Sequence, residues 1–343
     1  MDARVVPAVA AAPAAEAPPH FDGRRFFQPG VRTLHGPTDV WRWLREGDRR
    51  PWPASVPIRH HAPRPECLPA GAIGLTLIGH STVLIRAGGL NCLTDPVFSP
   101  CAGPAGRLGP RRVRPPAIAL SELPQIDLVL LSHDHYDHLD LPGLQWLGRH
   151  HRPAIVCGLG HRQLLGNAGI DKVFELDWWQ AWTGPAGTSV HFVPAQHWCG
   201  RGLHDRNLRL WGGLYLRTAA GSVYFAGDTG YAGHFAEIRR HLGAPDIALL
   251  PIGAYAPRWF MSVNHMNPAE AVAAHRDLGA RLSIPVHYGT FRLSGEGIDE
   301  PLVELDRARS AAGAPPEQLR VLDFGESMVF SPRADLPAAA TAG

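Results

Sequence analysis

The sequence predicts an α/β protein, and three observations carry that expectation. Between residues 70 and 330, short apolar runs alternate with longer segments of helical periodicity. Glycine, proline and Asx clusters punctuate the joints. Histidines and aspartates recur just past the ends of the apolar runs, where a rigid sheet can position chemistry. The chain has 343 residues and is 45% hydrophobic, enough to bury a large core as one α/β domain or as two intimately packed halves.

The elements follow in order. Residues 1–20 are Ala/Pro-rich, supply little to offset ordering entropy, and are expected to form a disordered leader rather than a signal peptide. Residues 21–69 form an aromatic, proline-rich arm in which Trp41-Arg42-Trp43-Leu44-Arg45 reads as a short amphipathic helix. The favoured reading is an arm packed across the domain. The sharper one is a membrane-surface or substrate-entry element, because Trp and Arg suit a lipid interface. The folded domain spans 70–331, and the tail 332–343 is expected to be disordered.

Ile73–Ile78, Thr82–Arg86 and Asn91–Thr94 read as strands, with Gly79-His80-Ser81 and Gly88-Gly89 as turns. The loop 98–120 carries Arg107, Arg111, Arg112 and Arg114; it reads as a solvated basic loop before it reads as a headgroup clamp. Ile126–Ser132 is a buried strand, and Asp140 with Pro142 starts a helix. Strands follow at 154–157, 172–176 and 189–194, with a helix at 161–167 and a hairpin from 208–218 to 222–226. Helices are expected at 233–242 and 302–311. Asn267, Pro268 and Glu270 open another. Strands at 247–251 and 281–286 precede a closing pair, 318–322 with 327–330.

The chain is organised around His133-Asp134-His135-Tyr136-Asp137-His138, which follows the buried strand. Neutral imidazoles and carboxylates together suit zinc, with iron or manganese less suited. The spacing offers two sets: His133 and His135 for one ion, Asp137 and His138 for a second. His197 sits past a strand end where a third ligand for the first ion is missing. Asp228, between glycines after a strand, is the natural bridge between two ions. His287 is the third strand-end histidine. Asp95 could orient a ligand histidine from behind, or could be a plain turn residue before Pro96; sequence alone leaves both open.

The totals narrow the function. The formal charge is +2 and no dense basic run occurs beyond Arg111-Arg112-Val113-Arg114, so a nucleic-acid partner is not expected. The five cysteines form no Cys-x-x-Cys pair, which points to a reducing, cytoplasmic compartment. No apolar run approaches the ~20 residues a spanning helix needs.

The order HxHxDH, His, Asp, His, each after a strand, resembles the metallo-β-lactamase superfamily. The surrounding words GHSTVLI, LTDPVFS, ELDWW, QHWC, FAGDTGY, PIGAYAPRWFM and HYGTF are similar to the N-acylphosphatidylethanolamine-hydrolysing phospholipase D family over about 70–330. The resemblance implies an αββα sandwich with two zinc ions at one edge. It implies His133, His135 and His197 on the first ion, Asp137, His138 and His287 on the second, and Asp228 between them. His265 matches a histidine near the substrate phosphate, which makes Asp228 and His265 the candidate catalytic residues. The implied reaction is hydrolysis of N-acylphosphatidylethanolamine to N-acylethanolamine and phosphatidic acid. The alternatives are hydrolysis of a lactone or small cyclic phosphodiester, or a non-catalytic metal-binding protein. The expected partners are a phospholipid or small ester and a peripheral membrane contact, and a homodimer is compatible with all of this.

Overall fold

The computed structural model describes residues 19–31, 35–46, 50–59 and 67–332. The expected leader (except Pro19 and His20), the expected tail (except Pro332), and His60 and His61 lie outside the described residues.

The arm carries helix α1 (Pro37–Glu46). The domain then opens with strands β1 (Ile73–Gly79), β2 (Thr82–Ala87), β3 (Leu90–Thr94) and β4 (Leu128–Leu130). Next come α2 (Leu141–His150), β5 (Ala154–Gly158), α3 (His161–Asn167) and β6 (Val173–Leu176). The second half holds β7 (Ala181–Thr183), β8 (Ser189–Val193), β9 (Gly213–Thr218), β10 (Gly221–Phe225), α4 (His234–Leu242) and β11 (Ile247–Pro251). The short α5 (Arg258–Met261), α6 (Pro268–Leu278), β12 (Leu282–Val286), α7 (Glu300–Ala311) and β13 (Ser327–Phe330) complete it.

One sheet runs β13-β1-β2-β3-β4-β5-β6 and the other β12-β11-β10-β9-β8-β7. Their inner faces share one core, with Leu75, Leu130 and Val156 from the first sheet and Phe192, Leu214 and Tyr224 from the second. Helices α2 and α3 cover the outside of the first sheet through Leu144, Leu147 and Leu165, which pack with Leu84, Val129 and Ile155. Phe235 and Ile238 of α4 and Val272 and Leu278 of α6 join the main core from the second sheet's side. The architecture is therefore the expected αββα sandwich.

Topology explains why so much chemistry gathers at one edge. β1 and β3 are both antiparallel to β2, and β3 is parallel to β4. Likewise β8 and β10 are both antiparallel to β9, and β10, β11 and β12 are parallel. Within each sheet these strands share a direction, so each sheet delivers its carboxyl ends together. Those ends release His80, Asp95 and His133 from one sheet, and His197, Asp228 and His287 from the other.

Several local expectations change. Residues 318–322 and 327–330 do not pair: β13 closes the first sheet against β1, while Leu319 makes only a bridge to Ser283 beside β12. The hairpin strand begins at Gly213, because Leu210 and Trp211 turn into the core first. Strand β7 was hidden in Gln180-Ala181-Trp182-Thr183, which lacks an apolar run. Arg112 and Arg114 are half-buried and engaged with the protein rather than free in solvent. Arg112 donates to the carbonyls of Ser99 (3.1 Å) and Val97 (2.7 Å) and lies over Phe291, and Arg114 lies over Phe324. Only Arg107 and Arg111 of that set face solvent fully.

Asp140 occupies the N-cap position of α2, yet its side chain caps another segment. Its Oδ2 accepts from the backbone N–H groups of Phe98 and Ser99, both at 2.9 Å, and Oδ1 accepts the Ser99 hydroxyl at 2.6 Å. Those bonds tie the start of the 98–120 loop to the metal loop's exit. Asp140→Ala strands two half-buried backbone donors, so urea unfolding should show a loss of about 1–2 kcal/mol. A loss under roughly 0.5 kcal/mol, the range of an ordinary surface change, would mean the loop is held by something else.

Candidate metal centre

The loop after β4 places His133, His135, Asp137 and His138 between the sheet edges, all within reach of His197, Asp228 and His287. The first group is His133, His135 and His197. His133 Nε2 and His135 Nδ1 lie 2.8 Å apart, and His197 Nε2 is 3.2 Å from the same His135 nitrogen. The second group is Asp137, His138 and His287, with His80 beside them. Asp137 Oδ2 lies 3.4 Å from His138 Nε2 and 3.3 Å from His287 Nε2.

Asp228 Oδ2 lies between the two groups, within 4 Å of members of each. It is 3.2 Å from His138 Nε2 and 3.1 Å from His287 Nε2, and also 3.8 Å from His197 Nε2. Gly227, at φ +62, makes this approach possible: a Cβ there would lie 2.5 Å from the Cβ of Ser132. The glycine's role is thus to let two loops close on each other, rather than to clear space at an ion.

Hydrogen bonds from behind fix which nitrogens face inward. The Ser132 hydroxyl donates to Asp95 Oδ2 at 2.5 Å, so it accepts from His133 Nδ1 at 2.9 Å. His138 Nδ1 donates to the same Asp95 oxygen at 2.6 Å, and His197 Nδ1 donates to the carbonyl of Asn264 at 3.0 Å. With Nδ1 engaged on the outer side in all three, the Nε2 atoms face the centre. Asp95 thus stands behind the ligand set, on Ser132 and His138. Asp134, the remaining carboxylate of the motif, turns away: it accepts from the Gly200 N–H at 2.7 Å and pairs with Arg209.

The electrostatics fit cations. Burial first, then the neighbouring imidazoles, hold His133 well below the ordinary histidine range. Burial does the same to His197. Both are therefore neutral, the state that ligates. Burial pushes the Asp137 and Asp228 carboxyls up, but the surrounding imidazoles, His138 first, overcome it and hold both well below the usual carboxylate range. Burial opposes protonation of His287, yet Asp228 and Asp137 raise it to about 9. Asp228 Oδ1 and the Nε2 atoms of His138 and His287 are buried without hydrogen-bond partners. Ligands about 2.0–2.1 Å from a tetrahedral ion lie about 3.3 Å from one another, close to the spacings above. The donor set therefore fits divalent metal ions.

Three residues here sit at positive φ without being glycine: His80 (+52°), Asp95 (+28°) and His287 (+61°). Such outliers persist where the surroundings over-determine them, and they cluster at functional sites. His80 is the residue that sequence reading passed over as a turn. Its Nε2 lies 3.0 Å from Asp137 Oδ2, and its signal was the same as the others': a histidine one position past a strand.

His265 closes the site. Its Nδ1 is 3.7 Å from Asp228 Oδ2, and burial holds its imidazole down at about 4. It lines a pocket of about 250 Å³ with Asp137, Asp228, Trp198, Met261 and Leu293. Cys199 is buried nearby, and burial pushes its thiol well up, out of the reactive range.

A family profile described as "Beta-lactamase superfamily domain" matches residues 90–288. An uncharacterised protein of Mycobacterium bovis is 39% identical over 288 residues, covering 82% of this chain and 74% of its own length. N-acyl-phosphatidylethanolamine-hydrolyzing phospholipase D 1 of Caenorhabditis elegans is 40% identical over 235 residues, covering 63% of this chain and 64% of its own. Among solved structures, the metallo-beta-lactamase fold protein YhfI of Bacillus subtilis superposes with a TM-score of 0.53 at 19% identity, over 76% of this chain and 100% of that one. Fold and sequence agree: the chain belongs to the beta-lactamase superfamily and has the metallo-beta-lactamase fold.

Proposed function

We propose that this chain is a dinuclear metal-dependent phosphodiesterase, with zinc the ion its donors suit best, that hydrolyses N-acylphosphatidylethanolamine in the manner of a phospholipase D. The observation that carries the reading is Asp228 Oδ2, one carboxylate oxygen that lies within 4 Å of donors from both groups, His138 and His287 on one side and His197 on the other. The named activity of the Caenorhabditis elegans relative supports the substrate.

Two bound divalent ions would supply a water acidified towards pKa ~7 and positive charge for the phosphoryl oxygens. The chain's own residues would do the rest. Asp228 Oδ1, buried and unpartnered, is placed to take a proton from the attacking water. The water oxygen bonds to phosphorus, the bond from phosphorus to the ethanolamine oxygen breaks, and the leaving oxygen takes a proton. His265, held neutral, has one N–H to give a phosphoryl or leaving oxygen. Trp198, Met261 and Leu293 supply the apolar wall that an acylated headgroup needs.

The partner in this reading is a lipid surface. Helix α1 lies beside the site, since Trp43 stacks on Phe260 with centroids 5.2 Å apart and Arg42 lies over Trp259. Its Trp41 and Leu44 stay 61% and 60% exposed, while Leu108 and Leu203, on loops that also line the pocket, are 64% and 94% exposed. Among the described residues no helix is long and apolar enough to cross a membrane.

Three outcomes test the reading. Zinc-loaded protein should release N-acylethanolamine from N-acylphosphatidylethanolamine in mixed micelles, while a chelator or Asp228→Ala should abolish both release and one bound metal. A protein that holds two metals and releases nothing would move the substrate to a lactone or small phosphodiester. His265→Ala should keep its metal content and lose about 10²–10⁴ in kcat; unchanged kcat would remove it from the chemistry. The double variant Trp41→Ser, Leu203→Ser should sediment less with anionic vesicles while turning over a soluble diester normally. Equal sedimentation would sink the membrane contact but not the hydrolase.

A further inference from the structure

A second cavity, of about 960 Å³, lies between the N-terminal arm and the corner after β6. None of its lining residues borders the metal pocket. We propose that this cavity binds a compact organic cation, a primary or quaternary ammonium with a small apolar body.

Its walls set the chemistry. Two indoles, Trp178 and Trp179, line it together with the carboxylates of Asp177 and Glu237, and no arginine or lysine does. An anion would meet two carboxylates and no fixed positive charge. A neutral apolar molecule would cover Asp177 Oδ2 and Glu237 Oε2, the carboxylate oxygens turned away from His20, Arg240 and His241, and offer them no partner, which is unfavourable. An ammonium satisfies both, because indole faces attract cations and carboxylates pair with them.

The groups are held open for such a ligand. Asp177 Oδ1 takes both of that residue's contacts, from His20 Nε2 at 2.8 Å and the Trp178 N–H at 2.7 Å. Its Oδ2 has no protein partner among the described residues. Glu237 makes only long contacts, 3.6 Å to Arg240 and 3.9 Å to His241, and both fall on Oε1. The indoles are fixed from one side: His20 stacks on Trp178 at 4.1 Å, and His241 on Trp179 at 4.4 Å. The Trp178 N–H is committed to the Trp211 carbonyl. Trp179 is held at φ +69, a conformation that costs a bulky residue free energy and that aims this indole. Gln196, one residue before His197, also lines the cavity, so its occupant would touch the segment that carries a ligand of the first ion.

The ammonium has two sources, a free amine or the headgroup of a zwitterionic phospholipid. Calorimetric titration of the metal-loaded full chain would use choline, its uncharged analogue with carbon in place of nitrogen, and dihexanoyl phosphatidylcholine below its micellar concentration. Choline should bind, and the uncharged analogue about tenfold more weakly or not at all. Tighter binding of the short lipid would identify a headgroup site, and weaker binding a free-amine site. Glu237→Gln and Trp179→Gly should each weaken choline several-fold; the second removes the indole while relaxing the backbone, so misfolding is not the expected cause. Asp228→Ala should bind choline as the wild type does. Equal binding of the uncharged analogue, or no binding of either cation, would overturn the proposal. So would binding lost in Asp228→Ala and kept in Glu237→Gln.

Discussion

A buried carboxylate surrounded by imidazoles is the constraint on which this structure turns. Asp228 is 4% exposed, and Asp95, His138 and His197 are completely buried. Placing so many polar groups in a low-dielectric interior with several lone pairs unmatched is unfavourable unless something cationic completes the set. The surroundings absorb that cost through connected hydrogen bonds. Asp95 restrains Ser132 and His138, Ser132 restrains His133, and Asn264 restrains His197. Each ring is held by its outer nitrogen, so its inner one stays fixed in direction.

The sandwich makes that arrangement feasible. A single sheet would present its carboxyl ends in a row. Two sheets packed face to face bring two rows together, and each contributes donors. The left-handed residues His80, Asp95 and His287 turn the chain sharply as it leaves its strand. The strands around them are regular, with apolar faces.

Most of this was legible because it repeats. A histidine or aspartate past an apolar run is visible at 133, 197, 228 and 287 without a structure. The capping box at Asn267 and Glu270 announced α6 correctly, since each side chain bonds the other's backbone N–H. What escaped the sequence depended on partners far along the chain. His80 looks like any turn residue until Asp137 is beside it. Asp140 looks like a helix cap until Phe98 and Ser99 arrive. Arg112 and Arg114 look solvated until Phe291 and Phe324 lie under them. Residues 318–322 look like a partner for 327–330, but the sheets place them apart. Local propensity carries no information about such distant contacts.

The pairing of β13 with β1 has a consequence for how the chain is made. During synthesis β1 emerges early and its outer edge stays open until Ser327–Phe330 has left the ribosome. His287 also emerges after every other member of the ion-binding cluster. The nascent chain therefore carries an exposed strand edge and an incomplete donor set for most of its translation, a state prone to aggregation and mispairing. The donor set is complete only once His287 has emerged, and the sheet only about forty residues later, so the polypeptide should acquire its ions late in synthesis.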